Sequence, residues 1–142
     1  RVMASTAAGL LLLALGAAAV LRWARTDGIE EVIAAPDAVT VDLAPTADFE
    51  GDPGMLRVVW SAERDEVVVI GEDLADPGSG KAYQLWLLAE DEEVVPEDLL
   101  VPEDGAIRSV LSVSDRPAAQ WAVTLEPATG STTPSPPILY LG

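Results

Sequence analysis

The chain has 142 residues, of which 24 are acidic and eight are basic, so its formal net charge is −16 at pH 7. It contains neither cysteine nor histidine, which excludes disulfide bonds, thiolate metal sites and histidine-based catalysis or metal binding. Because an acidic surface repels phosphate backbones, we expect no binding to nucleic acid. We also expect no cofactor.

The first predicted element is an uncharged stretch of twenty residues, 2–21. At about 1.5 Å per residue, a helix of this length matches the roughly 30 Å hydrocarbon core of a bilayer. The flanking residues suit the membrane interface, because indole rings settle at headgroup level and long cationic side chains extend towards water. Residues 1–25 are therefore predicted to form one transmembrane helix with its flanks, and the expected interface anchors are Arg1, Arg22, Trp23 and Arg25.

A cleaved signal peptide is the alternative interpretation of this stretch. Residues 10–15 could form its apolar core, and the alanines at 17–19 offer a small-residue cleavage site. A signal peptide normally starts a chain, whereas here two residues precede Met3. We therefore favour the membrane anchor and expect further coding sequence upstream.

Beyond the span, the chain changes to a polar segment and then to short β-like runs. Residues 26–36 are polar with small residues and end at a proline, so we interpret them as a short helix end or a juxtamembrane tether. Residues 37–142 should form the folded domain, because proline, glycine and aspartate separate a series of apolar runs that show no second helical pattern. Seven strands are predicted, at residues 39–43, 55–61, 66–71, 82–89, 107–113, 120–126 and 138–141.

Hydrophobic patterning within these runs indicates how the strands pack. Residues 107–113 and 120–126 alternate between apolar and polar side chains, as half-buried strands do. Residues 67–70 and 85–88 are apolar on both faces, as expected of central strands covered by a second layer on one side and by loops or the tether on the other. Residues 61–65 suit a hairpin connection. The predicted fold class is all-β: a two-layer antiparallel β-sandwich of about seven strands, preceded by one transmembrane helix.

Two motifs in this domain resemble those of a known family. Residues 82–88 read AYQLWLL, and residues 121–127 read WAVTLEP, followed by Gly-Ser at 130–131 and by a proline at 134. In this order and spacing they resemble the C-terminal extracytoplasmic domain of the anti-sigma-K factor family, together with its transmembrane segment. The matching residues are expected to be mainly structural, and they are Tyr83, Gln84, Leu85, Trp86, Leu87, Val123, Thr124, Leu125, Glu126, Pro127, Gly130, Ser131 and Pro134.

The resemblance implies a single-pass regulator in the cell membrane, with this domain on the extracytoplasmic side. Its partners would be membrane lipid around the span and a sigma factor, which would bind a domain upstream of this chain. It implies negative regulation of sigma-factor-dependent transcription, relieved when a site-1-type protease and an intramembrane protease cut the protein in turn. We expect the first cut within residues 26–36, where backbone outside a sheet would be open to a protease. The alternative is a membrane-tethered extracytoplasmic binding module for a cell-envelope ligand or protein.

Two polar runs could suggest chemistry, but each has a simpler structural explanation. A calcium site at residues 90–93 would need ligands at alternating positions around a tight turn, which this acidic run lacks. Ser79 and Lys81 could form a nucleophile pair, yet no third, orienting group accompanies them. We therefore assign no catalytic, cofactor-binding or metal-binding residue and expect no enzyme activity.

Aromatic and acidic residues in the motifs have structural explanations as well. Tyr83, Trp86 and Trp121 could line a ligand groove, but aromatic residues at alternating strand positions are usually part of a core. Glu126 precedes Pro127 at the end of a predicted strand. Its expected role is to accept hydrogen bonds from backbone donors there.

Overall fold

Nine β-strands make up the fold within the residues that the structure describes. The computed structural model describes residues 28–115 and 118–142. Residues 28–33 form a short helical segment before the first strand. The strands are β1 (Val39–Asp42), β2 (Ala44–Pro45), β3 (Met55–Ser61), β4 (Glu66–Glu72), β5 (Lys81–Ala89), β6 (Val94–Leu100), β7 (Ile107–Ser112), β8 (Ala118–Pro127) and β9 (Ile138–Leu141).

The strands are arranged in two antiparallel sheets. One sheet has the order β1-β3-β4-β7, and the other has the order β2-β9-β8-β5-β6. Only the buried Leu43 separates β1 from β2, so the chain passes from one sheet to the other at this residue. The predicted hairpin between β3 and β4 is present, with Ser61 opposite Glu66.

The hydrophobic core lies between the two sheets, where alternate residues of each strand point inward. Val67 and Val69 of β4 share this core with Leu85 of β5 and Val123 of β8, and all four are fully buried. Burying a side chain of this size stabilises the fold by about 1.5 to 3 kcal/mol. Because one cluster joins both sheets, the all-β, two-layer antiparallel architecture predicted from the sequence is confirmed.

The outer face of the four-stranded sheet is covered by the helical segment at residues 28–33. Ile29 and Val32 pack on Val59, Val68 and Val110, which point outward from three adjacent strands. This contact explains why β4 is apolar on both faces: one face meets the second sheet, and the other meets the helical segment. The sequence predicted such cover on both faces, and the structure confirms it.

Two of the nine strands were not predicted. β2 has only two residues, and β6 combines Pro96 with two acidic residues, a composition more typical of a loop. β6 lies at the edge of its sheet. A proline is tolerated there because no strand beyond the edge needs its missing N–H as a donor. The prediction of about seven strands was therefore too low, because one of these two edge strands is very short and the other is interrupted by proline and acidic residues.

The predicted membrane span falls on residues for which the structure gives no description. Residues 2–21 and the anchors Arg1, Arg22, Trp23 and Arg25 lie outside the described ranges. Within residues 28–115 and 118–142, no helix is long and apolar enough to cross a membrane.

Candidate functional site

The two sequence motifs lie side by side on neighbouring strands. β5 pairs with β8 so that Gln84 lies opposite Thr124 and Leu85 lies opposite Val123. Since side chains alternate across a strand, Leu85 and Val123 point into the core, whereas Gln84, Trp86 and Thr124 point to the outer face of the five-stranded sheet. The other motif residues that contribute to the core side are Tyr83, Leu87 and Leu125.

Three side chains on the outer face are joined by hydrogen bonds. Trp86 Nε1 donates to Thr124 Oγ1 at 2.9 Å, and the Thr124 hydroxyl donates to Glu126 Oε1 at 2.5 Å. All three residues are fully buried. A buried carboxylate is costly unless its oxygens accept hydrogen bonds, so Glu126 needs further donors from whatever covers this face.

The connection between β8 and β9, residues 128–137, folds over this face and supplies those donors; we call it the strap. The hydroxyls of Ser131 and Ser135 donate to Glu126 Oε2 at 2.7 and 2.8 Å. The backbone N–H of Ser135 donates to Glu126 Oε1 at 2.7 Å. Gln84 also holds the strap, because its Nε2 donates to the Ser131 carbonyl and its Oε1 accepts the Ser131 N–H, each at 2.9 Å. Gly130 turns the strap at a φ of +82°, a left-handed conformation that favours glycine.

The Glu126 carboxylate is ionised at every physiological pH. Burial raises its pKa, but the backbone N–H of Ser135 and the hydroxyls of Thr124, Ser131 and Ser135 outweigh burial and lower the pKa from 4.5 to about 2. Of the ion pairs found in the described ranges, none includes Glu126. Hydrogen bonds from uncharged donors therefore stabilise its negative charge. A base this weak, with both oxygens occupied, is poorly suited to removing a proton from a nucleophile. The arrangement instead holds the strap on the sheet, and we call it the Glu126 lock.

Similarity to known proteins extends over almost the whole chain. A family model described as "Anti-sigma-K factor rskA, C-terminal" matches residues 3–138. The chain belongs to this family. Relatives named anti-sigma-K factor RskA occur in Mycobacterium sp. strain KMS (33% identical over 112 residues), Mycolicibacterium vanbaalenii (32% over 120 residues) and Mycobacterium tuberculosis strain H37Ra (30% over 115 residues).

The three RskA alignments cover 76%, 77% and 78% of this chain and 42%, 44% and 45% of the respective relatives. The chain thus spans less than half the length of the curated relatives that it matches. No solved structure matches it.

The two prolines of the motifs also have structural roles in this RskA-family domain. Pro127 ends β8 opposite Lys81, and Pro134 is half-buried in the strap. Sequence reasoning missed Ser135, which supplies two of the hydrogen bonds to Glu126. Its only signal was its place four positions after Ser131, in a stretch where serine, threonine and proline are all frequent.

The three aromatic residues considered for a ligand groove are separated in the RskA-family domain. The Tyr83 hydroxyl donates to the Ala75 carbonyl at 2.8 Å. Trp86 is hydrogen-bonded to Thr124 on the outer face of the five-stranded sheet, and Trp121 packs edge-on against Trp60 with ring centroids 6.4 Å apart. Tyr83, Trp86 and Trp121 are all buried, so they stabilise the fold and do not form one groove.

An open cavity of about 380 Å³ lies beside Tyr83. Its apolar wall includes Phe49, Leu125 and Leu139, and the acidic residue Asp76 also lines it. Small-molecule sites commonly have volumes of about 300 to 1,000 Å³, so the cavity has room for a small ligand. It does not include the polar side chains of the Glu126 lock.

The two polar runs considered at the sequence level lie in exposed turns. At residues 90–93, Asp91 Oδ1 accepts the Glu93 N–H at 3.3 Å, which closes the turn into β6. Ser79 and Lys81 are exposed where the chain enters β5. In the described part of the chain, no group of three or more acidic residues is placed to hold a metal ion.

Proposed function

We propose that this chain is the regulatory, extracytoplasmic part of a membrane-anchored anti-sigma factor. The match of residues 3–138 to the RskA C-terminal family carries this proposal, and the motif residues of the Glu126 lock lie within that match. The alignment covers only 42% of the Mycobacterium sp. strain KMS relative named anti-sigma-K factor RskA, so that relative extends well beyond the aligned part. In this proposal a sigma factor binds a domain beyond the present chain, and the β-sandwich controls its release and thus keeps sigma-dependent transcription low.

The proposal includes a position in the cell membrane. The uncharged residues 2–21 form the single span in contact with lipid, and the β-sandwich lies on the extracytoplasmic side. Five basic residues oppose all 24 acidic ones beyond Arg25, so the domain is repelled by anionic lipid and stays clear of the bilayer. We propose no catalytic activity, no cofactor and no nucleic-acid partner for it.

Regulated proteolysis is the proposed route of relief. A first cut outside the membrane removes the β-sandwich, and an intramembrane protease then cuts the span. Gly9 and Gly16 in the predicted span support the second step, because glycine costs about 1 kcal/mol relative to alanine in a helix and makes local unwinding easier.

The proposal is tested on the full-length protein with a different tag at each end. Alkaline carbonate should leave it in the membrane pellet, and protease added to spheroplasts should remove the C-terminal tag while sparing the N-terminal one. The protein purified from membranes should carry a sigma factor with it. Release by carbonate, a protected C-terminal tag, or purified protein that lacks a sigma factor would each contradict the corresponding part of the proposal.

The cavity beside Tyr83 favours a second candidate, a membrane-tethered module that binds a cell-envelope ligand or protein. Its apolar wall and adjoining carboxylates resemble the mixed lining of ligand pockets. The two candidates differ in two observables: a binding module would be purified without a sigma factor, and its deletion would leave sigma-dependent transcription unchanged.

A further inference from the structure

The segment that would connect the membrane span to the β-sandwich is packed on the sandwich. Ile29 is 3% exposed and Val32 is 0% exposed. Their spacing of three residues places both on one face of the helical segment, against the outward-pointing Val59, Val68 and Val110. We call residues 28–38 the clasp.

Polar contacts fasten the C-terminal end of the clasp. Asp37 Oδ1 accepts the Ser61 hydroxyl at 2.8 Å, and Asp37 Oδ2 accepts the Glu63 N–H at 2.9 Å. These two donors hold the pKa of the Asp37 carboxyl below its usual value of 3.8. Ser61 is fully buried at the end of β3, so the clasp is tied to the hairpin between β3 and β4.

Ion pairs link the helical part of the clasp to the same sheet. Arg64 contacts Glu31 at 2.6 Å and Glu66 at 3.0 Å, and thus bridges the clasp and β4. Arg108 of β7 contacts Glu30 at 3.4 Å. Exposed ion pairs of this kind stabilise little, so the buried apolar face is the main attachment of the clasp.

Backbone hydrogen bonds are also formed within the clasp. Ala34 N–H donates to the Glu30 carbonyl at 2.9 Å, and Ala35 N–H donates to the Val32 carbonyl at 3.2 Å. A protease must bind several residues of opened backbone, so cleavage here requires that the clasp first leave the sheet. This differs from the open segment that the sequence suggested at residues 26–36.

We propose that the clasp is a built-in gate: residues 28–38 are protected from proteolysis while docked on the outer face of the four-stranded sheet, and undocking of the clasp, with the sandwich still folded, admits the protease. The biological meaning of this gate rests on the proposed function, in which proteolysis relieves regulation. The gate itself is a property of this chain and is tested without any sigma factor.

The test uses the 142-residue chain in detergent micelles and endoproteinase Glu-C, which cuts after glutamate. Fragments identified by mass report cleavage after Glu30 and Glu31, with cleavage in the exposed turn at residues 90–93 as a reference in the same digest. Val32→Ala removes buried methyl groups, and it should speed cleavage in the clasp about tenfold, because cleavage follows the population of the open form. Ile33→Ala is the matched control, since Ile33 is 39% exposed and should leave cleavage unchanged.

A disulfide provides the opposite perturbation. A Cβ placed on Gly28 would lie 4.0 Å from the Cβ of Val110, within the range for a disulfide, and the chain has no cysteine of its own to interfere. The double variant Gly28→Cys, Val110→Cys should resist cleavage after Glu30 and Glu31 when oxidised and regain sensitivity when reduced. Thermal unfolding followed by tryptophan fluorescence verifies that each variant is folded.

Equal cleavage of the Val32→Ala and Ile33→Ala variants, or no effect of oxidation on the cysteine pair, would overturn the gate. The same cysteine pair in the full-length protein in cells separates the gate from the proposed function. If oxidation blocks cleavage in micelles but sigma-dependent transcription still responds normally, the gate stands and relief by proteolysis at this segment is wrong.

Discussion

Replacing Glu126 by glutamine tests the lock beneath the strap. The substitution keeps the size of the side chain, but it removes the charge and one of the two acceptor oxygens that Thr124, Ser131 and Ser135 contact. Lowering the pKa of the carboxyl from 4.5 to about 2 corresponds to about 3 kcal/mol of stability at neutral pH, at about 1.4 kcal/mol per unit. Domains of this size have only about 5 to 15 kcal/mol in total, so Glu126→Gln should lower the melting temperature by roughly 10 °C.

The lowered pKa also predicts a pH dependence with a definite sign. A carboxyl group whose pKa is lower in the folded state than in the unfolded state stabilises the fold above the unfolded value. Its contribution is lost as the pH falls from 4.5 to about 2. Across this window, the free energy of unfolding of the unaltered chain should fall by about 3 kcal/mol more than that of Glu126→Gln.

Urea unfolding followed by tryptophan fluorescence at pH 7, 4.5, 3 and 2 measures this difference. Glu90→Gln makes the same chemical change in an exposed turn, so it should parallel the unaltered chain at every pH. If Glu126→Gln also runs parallel to the unaltered chain, the carboxylate contributes no ionisation-linked stability and the proposed lock is wrong.

Two further substitutions test the same face of the five-stranded sheet. Trp86→Ala removes a fully buried indole and its hydrogen bond to Thr124, so it should cost about 3 to 5 kcal/mol and lower the melting temperature severely; an unchanged melting curve would mean that Trp86 is exposed. Gly130→Ala should cost about 1 to 2 kcal/mol through its φ of +82° alone, because the nearest atoms to an added Cβ lie 3.7 Å away; no loss in urea unfolding would contradict the left-handed geometry of the strap.

The sequence predicted the parts of the fold that depend on local hydrophobic pattern. Alternation located β7 and β8, and the doubly apolar runs in β4 and β5 correctly indicated central strands with cover on both faces. Such patterns are informative because a strand places successive side chains on opposite faces, so burial on each face is written directly into the residue order.

Features that depend on long-range contacts were harder to predict. Ile29 and Val32 occupy a segment too short to show helical periodicity, and their burial depends on valines that follow Val32 by 27 residues or more. The Glu126 site could be predicted in part. The sequence predicts that Glu126 accepts backbone donors at a strand end, and the Ser135 N–H is such a donor. The hydroxyl donors come from a strap whose path over the sheet is set by tertiary contacts and not by any local preference.

In the proposed function the β-sandwich controls the release of a sigma factor, and sigma-dependent transcription in cells tests this proposal. The comparison is between the full-length protein and a form that ends after Arg25 and therefore lacks the clasp and the sandwich. We expect the shortened protein to lose its restraint on transcription. Transcription should then be high without any signal, and it should fall again when the intramembrane protease is deleted. Transcription that stays low and still responds to the signal in the shortened form would contradict a regulatory role for this domain.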